Sequence, residues 1–152
     1  MDFNKNKKFF WAIIVLALII GFFWSKKLFA PAPFRQALQI NQVLIEAEVA
    51  QSLIEQYRGL SGRQSLETNT GMLFNYQDKQ VREFVMRNMN FPLDIIFIRD
   101  GQIIKIAANL EPEGSRPQKI YQSGEPVNQV LEMGGGFCEK NQIKVGDRVL
   151  LN

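Results

Sequence analysis

From Phe9 to Trp24 the chain runs sixteen residues without a charge or a proline. As a helix rising about 1.5 Å per residue, that stretch covers about 24 Å of a hydrocarbon layer about 30 Å thick. Lys26 and Lys27 can snorkel while Leu28, Phe29 and Ala30 extend the apolar run, so a single transmembrane helix is expected over 9–29. Trp11 and Trp24 stand near its two ends, where interfacial aromatics belong. Pro31 and Pro33 then stop the helix and predict a stiff linker over 30–37, ahead of a domain over 38–152. Inside that domain Val43, Ile45, Ala47 and Val49 alternate with Leu44, Glu46 and Glu48, the period of a half-buried strand. Ser52 and Glu55 form a capping box. It opens a helix with Leu53, Ile54, Tyr57 and Leu60 on one face and Gly59 and Gly62 to end it.

Further along, Met72 to Tyr76 and Val81 to Met86 are apolar runs of strand length around a Gln77 to Gln80 turn, which predicts a hairpin. Ile95 to Ile98 and Gln102 to Ala107 flank Asp100-Gly101, a pair that supplies the positive φ angles a two-residue turn demands. Leu110 to Gln118 has no periodicity and reads as an irregular loop. Ile120 to Gln122 reads as a short strand, and Pro126 as the first turn of a short helix reaching toward Glu132. Gly134 to Gly136 reads as a flexible turn. Gly146-Asp147, within a run that carries Val145 and Val149 on its two sides, reads as a tight turn whose carboxylate accepts backbone N–H bonds. Many short strands and few helices predict an α+β, mostly β domain: a small curved sheet or compact barrel with one or two short helices.

The net charge of +3 would point to nucleic acid if spread over the whole chain. Residues 1–35, however, hold six Lys or Arg against Asp2, which leaves twelve basic against fourteen acidic residues in the remainder. The basicity therefore belongs to the anchor and its tail over 1–8, and no nucleic-acid partner is expected; the bilayer is. A short basic tail before a long domain places that domain on the non-cytoplasmic side, in a single-pass, periplasmic-facing arrangement. The alternative is export after cleavage of residues 9–29 as a signal peptide, although each small residue at the cleavage region, Ala30 and Ala32, is followed by proline.

Four blocks in order carry a family resemblance. They are Tyr57-Arg58-Gly59-Leu60-Ser61-Gly62-Arg63, Gly71-Met72-Leu73-Phe74, the run from Phe84 to Ile98, and Val130-Leu131-Glu132 with Ile143-Lys144-Val145-Gly146-Asp147. The third reads Phe-Val-Met-Arg-Asn-Met-Asn-Phe-Pro-Leu-Asp-Ile-Ile-Phe-Ile. The chain resembles the uncharacterised family called domain of unknown function 192, departing at Val85 from the usual Trp and at Met89 from the usual Thr. Tyr121 and Ser123 fall where that family often has Tyr-x-Ser. The resemblance implies a compact β-rich domain, often exported or tethered at a membrane. It transfers no catalytic residue.

The chain has no histidine and one cysteine, Cys138, which removes Ser-His and Cys-His nucleophiles and the usual zinc sites; no metal or cofactor is expected. Carboxylates remain. Asp94 and Glu132 each interrupt an apolar run. A buried carboxylate must be paired, hydrogen-bonded or kept for function, and Arg58, Arg63 and Arg87 are the candidate ion-pair partners. Met86, Asn88, Asp94, Tyr121 and Glu132 are the candidate ligand-binding residues for a small polar ligand. The function expected is a membrane-tethered, non-enzymatic binding or interaction module. The alternative is a carboxylate-dependent enzyme acting on a small molecule or sugar.

Overall fold

The computed structural model describes residues 11, 13–16, 18, 19 and 32–151. The chain divides into two units, Met1–Ala32 and Pro33–Asn152. In the first, residues 11, 13–16, 18 and 19 are helical. No helix among the described residues is long and apolar enough to cross a membrane. The tail over 1–8 and most of the span expected over 9–29 lie outside those residues.

The second unit is mostly β. Its strands are β1 (Arg35–Ile40), β2 (Val43–Val49), β3 (Thr70–Gln80), β4 (Glu83–Phe84), β5 (Leu93–Arg99), β6 (Gln102–Leu110), β7 (Tyr121–Gln122), β8 (Val127–Gly134) and β9 (Val149–Leu151). Two short helices, α1 (Leu53–Arg58) and α2 (Phe137–Lys140), complete it. Seven strands form one curled half-barrel sheet in the order β6-β5-β8-β3-β2-β1-β9, antiparallel except for the parallel β2–β3 pair, while β4 and β7 pair separately. The two edges of the large sheet meet at one corner. There Ile103 N–H donates to Asp147 O at 3.0 Å, and Val149 N–H donates to Gly101 O at 2.9 Å. This pairing covers backbone groups that an open edge would leave free.

Side-chain alternation sorts the core into two layers. The inner layer draws on all seven strands of the sheet, through Leu38, Ile45, Leu73, Ile96, Ile103, Leu131 and Val149 among others, as the inside of a curl must. The outer layer draws its fully buried strand residues from β3, β5 and β8, through Phe74, Ile95, Phe97 and Val130, with Ile104 and Ala107 of β6 packed against them, and is covered by Leu60, Met86 and Met89 from the connecting segments. The candidate site lies in that cover.

Several expectations are corrected. Val127 to Gly134 is a central strand and not a helix after Pro126: Val130 sits opposite both Phe74 and Phe97, and Leu131 opposite Leu73 and Ile96. Residues buried on both faces need no polar stripe, so the run lacks the alternation by which a half-buried strand is recognised. Met72 to Met86 is not a hairpin. β3 continues through Gln77 to Gln80, with a shift of register between Asn75 and Gln80, and takes β8 as its antiparallel partner, while Glu83 and Phe84 pair with Gln122 and Tyr121. β1 begins at Arg35, inside the stretch expected to be linker. The predicted apolar face of α1 is also not core, because the helix buries none of its residues and only Leu60, beyond its end, reaches the outer layer.

Candidate functional site

Glu132 lies on β8 between Leu131 and Met133, whose side chains point into the inner layer. Strand alternation therefore turns its carboxyl to the outer layer, beside its register partners Met72 and Ile95. It is 5% exposed, and its Oε2 has no hydrogen-bond partner among the described residues. Burial pushes its pKa up from 4.5 to about 7, opposed by a Leu60 backbone N–H and by the charge of Arg63. A carboxyl kept this dry favours its neutral form.

The loop above it is built to leave room. Ser52 and Glu55 close the capping box, and Gly59 ends the helix at φ +51°, its N–H donating to Glu55 O at 2.8 Å. A Cβ on Gly59 would lie 3.1 Å from Glu132 Oε2, so glycine supplies both the left-handed turn and the space. The following residues are clipped to the segment after β4. Ser61 Oγ donates to Arg87 O at 2.7 Å, and Gly62 N–H donates to Asn88 O at 2.8 Å. Asn90 Nδ2 donates to Arg63 O at 2.8 Å. Arg87 donates to Tyr57 O at 3.0 Å with its guanidinium 3.9 Å above the Tyr57 ring.

Beneath this loop opens a cleft of about 250 Å³ with Glu132 in its wall, alongside Tyr57, Arg58, Tyr76, Glu83 and Phe84. Burial, opposed by Arg82, holds the Tyr76 phenol above its ordinary pKa, so it stays a hydrogen-bond donor near neutrality. Glu83 accepts a bond from Gln122 Nε2 at 2.6 Å. A second cleft of about 360 Å³ shares Arg58, Gly59 and Ser61 and includes the Arg63–Glu48 ion pair. That pair is bidentate, with Arg63 drawing the Glu48 carboxyl below its usual range.

Asp94, the other carboxylate of the sequence reading, is on the opposite face. It is fully buried, and its Oδ1 accepts the N–H groups of Asn109 at 2.7 Å and Gly136 at 3.1 Å, while Oδ2 accepts Cys138 N–H at 2.7 Å. It ties β6, the glycine turn and α2 together. No arginine pairs with it among the described residues. Met86 is buried in the outer layer and Tyr121 packs against that layer. Asn88, at φ +50°, lines a surface cleft with Ile54, Tyr57 and Arg87. Glu132, Met86 and Tyr121 thus share the outer layer, Asn88 sits at its surface, and Asp94 stands apart. Of the three candidate arginines, Arg63 holds Glu48, Arg87 holds the end of α1, and Arg58 lines the cleft without an ion pair among the described residues. Tyr76, Glu83 and the Glu48–Arg63 pair went unremarked in the sequence. Nothing in their local pattern marks them.

A family model described as "Uncharacterized ACR", domain of unknown function 192, matches residues 36–151. No curated protein matches. Among solved structures, the chain is similar to a candidate transcription regulator of Sinorhizobium meliloti, at 26% identity and a TM-score of 0.74 over 80% of this chain and 97% of that one. It is also similar to a protein of unknown function from Novosphingobium aromaticivorans, at 30% identity and a TM-score of 0.70 over 80% of this chain and 94% of that one.

Proposed function

We propose, for a chain that belongs to the domain of unknown function 192 family, that it is a membrane-tethered binding module whose ligand site is the Glu132 cleft. One observation carries the reading: a buried carboxyl oxygen without a partner, in the wall of an open cleft. Such an oxygen costs on the order of 1–3 kcal/mol, which a ligand hydroxyl or amine would recover. Tyr57, Tyr76 and Phe84 offer apolar and ring surface for the body of that ligand, and Arg58 offers charge at the rim. Residues 9–29 are the tether, supported by the uncharged run from Phe9 to Trp24, with the domain on the non-cytoplasmic side. A role on DNA, the one in the Sinorhizobium protein's name, finds no support in a domain with fewer basic than acidic residues.

The test is a thermal-shift screen of residues 33–152 against sugars, polyols and small amines, beside the Glu132→Gln variant. A ligand at a hundredfold its Kd contributes about 2.7 kcal/mol, worth about 10 °C in a domain of this size. The expected hit raises the melting temperature of the parent and leaves the variant unmoved. A hit that stabilises both equally removes Glu132 from the site.

Glu83 in the same cleft favours a second reading, a carboxylate-dependent enzyme acting on a small molecule or sugar, with Glu132 as the proton donor. Turnover of a glycoside panel, lost in both Glu83→Gln and Glu132→Gln, would select it over simple binding.

A further inference from the structure

α1 spends three large apolar side chains on solvent. Leu53 is 83% exposed, Ile54 70% and Tyr57 72%, and no residue of the helix is buried. The cap and the Gly59 turn account for the helix, and Leu60 accounts for its attachment to the core; on the outer face Arg87 lies over the Tyr57 ring, and Leu53 and Ile54 stay open to solvent.

Its position points to what covers it. Phe34 O accepts the N–H of Val49 at 2.8 Å, which fixes the start of the domain beside the end of β2, three residues before the Ser52 cap. Pro33 lines one cleft together with Glu55, Arg58 and Gly59 of the α1 segment. Four peptide units separate residue 29, the end of the expected membrane span, from Pro33, and they reach at most about 14 Å. The headgroup region of one leaflet is itself about 5–8 Å deep. A tether this short, at a point flanking α1, makes that helix one of the parts of the domain within easiest reach of lipid. Phe34, 55% exposed, adds a fourth apolar side chain at the tether point.

The charges around the face agree. Glu55 is turned back on the helix start, its carboxylate accepting Gln51 N–H at 2.9 Å and Ser52 N–H at 2.8 Å. Arg58 and Arg87 form no ion pair among the described residues, and Arg87 lies against the exposed Tyr57 ring. An apolar strip with aromatic and arginine residues beside it is the composition of a surface that rests in the interfacial layer.

We propose that the outer face of α1 docks on the bilayer, with Leu53, Ile54 and Tyr57 in the headgroup–acyl boundary and Arg58 and Arg87 against anionic lipid phosphates. This rests on the tethered reading above. Docking would also hold the mouth of the Glu132 cleft, which Tyr57 and Arg58 share, next to the membrane surface.

The test uses the full chain in vesicles of phosphatidylcholine and phosphatidylglycerol. Ile54→Cys is labelled with an environment-sensitive fluorophore, and Glu139→Cys on α2 serves as the distant reference. The native Cys138 is 3% exposed with its thiol pKa pushed far up by burial, so it stays unlabelled. Flotation with the vesicles reads the tether; quenching by headgroup-spin-labelled lipid reads the docking. The expected result is flotation of both proteins, with several-fold stronger quenching at position 54 than at 139 and a drop when Arg58→Glu is added. Flotation with equal quenching at the two positions overturns the docking and leaves the tether standing. Failure to float overturns both. Protection at position 54 that persists in detergent and grows with protein concentration overturns the lipid assignment in favour of a second copy of the chain.

Discussion

Replacing Glu132 by Gln removes the one group whose titration should dominate the stability of this domain near neutrality. The folded carboxyl ionises at about 7 because burial disfavours its charge, whereas in the unfolded chain it ionises near 4.5. Between those values the folded state keeps a proton that the unfolded state releases. The Glu132 contribution to stability is therefore full below pH 4.5 and is lost as pH rises through about 7. The interval, at about 1.4 kcal/mol per pH unit, is worth about 3 kcal/mol. Few other groups interfere. The chain has no histidine. Glu48, held down by its Arg63 hydrogen bond, Glu55, held down by Ser52, and Asp147, held down by the Lys144 N–H, all have lowered pKa values, so their contributions are lost only as pH falls below 4.5. The assay is urea unfolding of residues 33–152 at half-unit steps from pH 4.5 to 8.5, for the parent and Glu132→Gln. A constant offset between the two reports the different fit of the amide and is not the signal. The signal is slope: the parent should lose about 3 kcal/mol across the window while the variant stays nearly flat. Parallel curves would show that Glu132 is ionised in the folded state across the range, and the account of a dry, unpartnered carboxyl would fall.

Asp94→Ala strands three N–H groups, the buried one of Cys138 and the part-buried ones of Asn109 and Gly136, and should cost about 3–5 kcal/mol, while Asp94→Asn, which keeps the oxygen serving Asn109 and Gly136, should cost about half as much; chemical denaturation at pH 7 measures both, and equal losses would contradict the division of bonds between the two oxygens. Gly71→Ala places a Cβ 2.5 Å from the Glu132 carbonyl oxygen and from Met133 Sδ, so it should destabilise by about 1–3 kcal/mol by the same measurement. The full chain should stay in the membrane fraction through high-salt and alkaline washes, since the attachment proposed through residues 9–29 is hydrophobic; a soluble species beginning near Pro31 or Pro33 would instead identify a cleaved leader.

Local signals in the sequence were reliable where the structure they specify is local. Asp100 and Gly101 adopt φ of +51° and +73°, and Arg99 faces Gln102 across the turn they form. Ser52 and Glu55 make both bonds of the capping box, and Asp147 accepts the Lys144 N–H at 2.9 Å as the tight turn requires. Misreadings fall where the decision is made across the sheet. Val127 to Gly134 has neither a helical stripe nor strand alternation of its own; it is a strand because β3 and β5, distant in sequence, present edges on both of its sides. The separation of Val81 to Met86 from β3 has the same origin, since β8 already occupies the edge that a hairpin would need. The apolar spacing of Leu53, Ile54 and Tyr57 is real, but periodicity reports an apolar face without reporting what it meets.

The same logic separates the two carboxylates. Asp94 and Glu132 give one signal in the sequence, a charge inside an apolar run, and have opposite fates. Asp94 meets a ring of backbone donors from β6, the glycine turn and α2, and every one of them is satisfied. Glu132 meets the Gly59–Leu60 loop, which gives it a glycine's worth of space and leaves one oxygen without a partner. Parts of all the blocks that carry the family resemblance meet there. Tyr57 to Arg63 forms the loop over Glu132, Met72 is its register partner, and Arg87 and Asn88 accept the bonds that clip the loop in place. The loop, its clip and the strands beneath it thus bring widely spaced parts of the chain to a single carboxyl that they do not satisfy. On the proposed reading, the unpartnered Glu132 oxygen is the group that a ligand would bond.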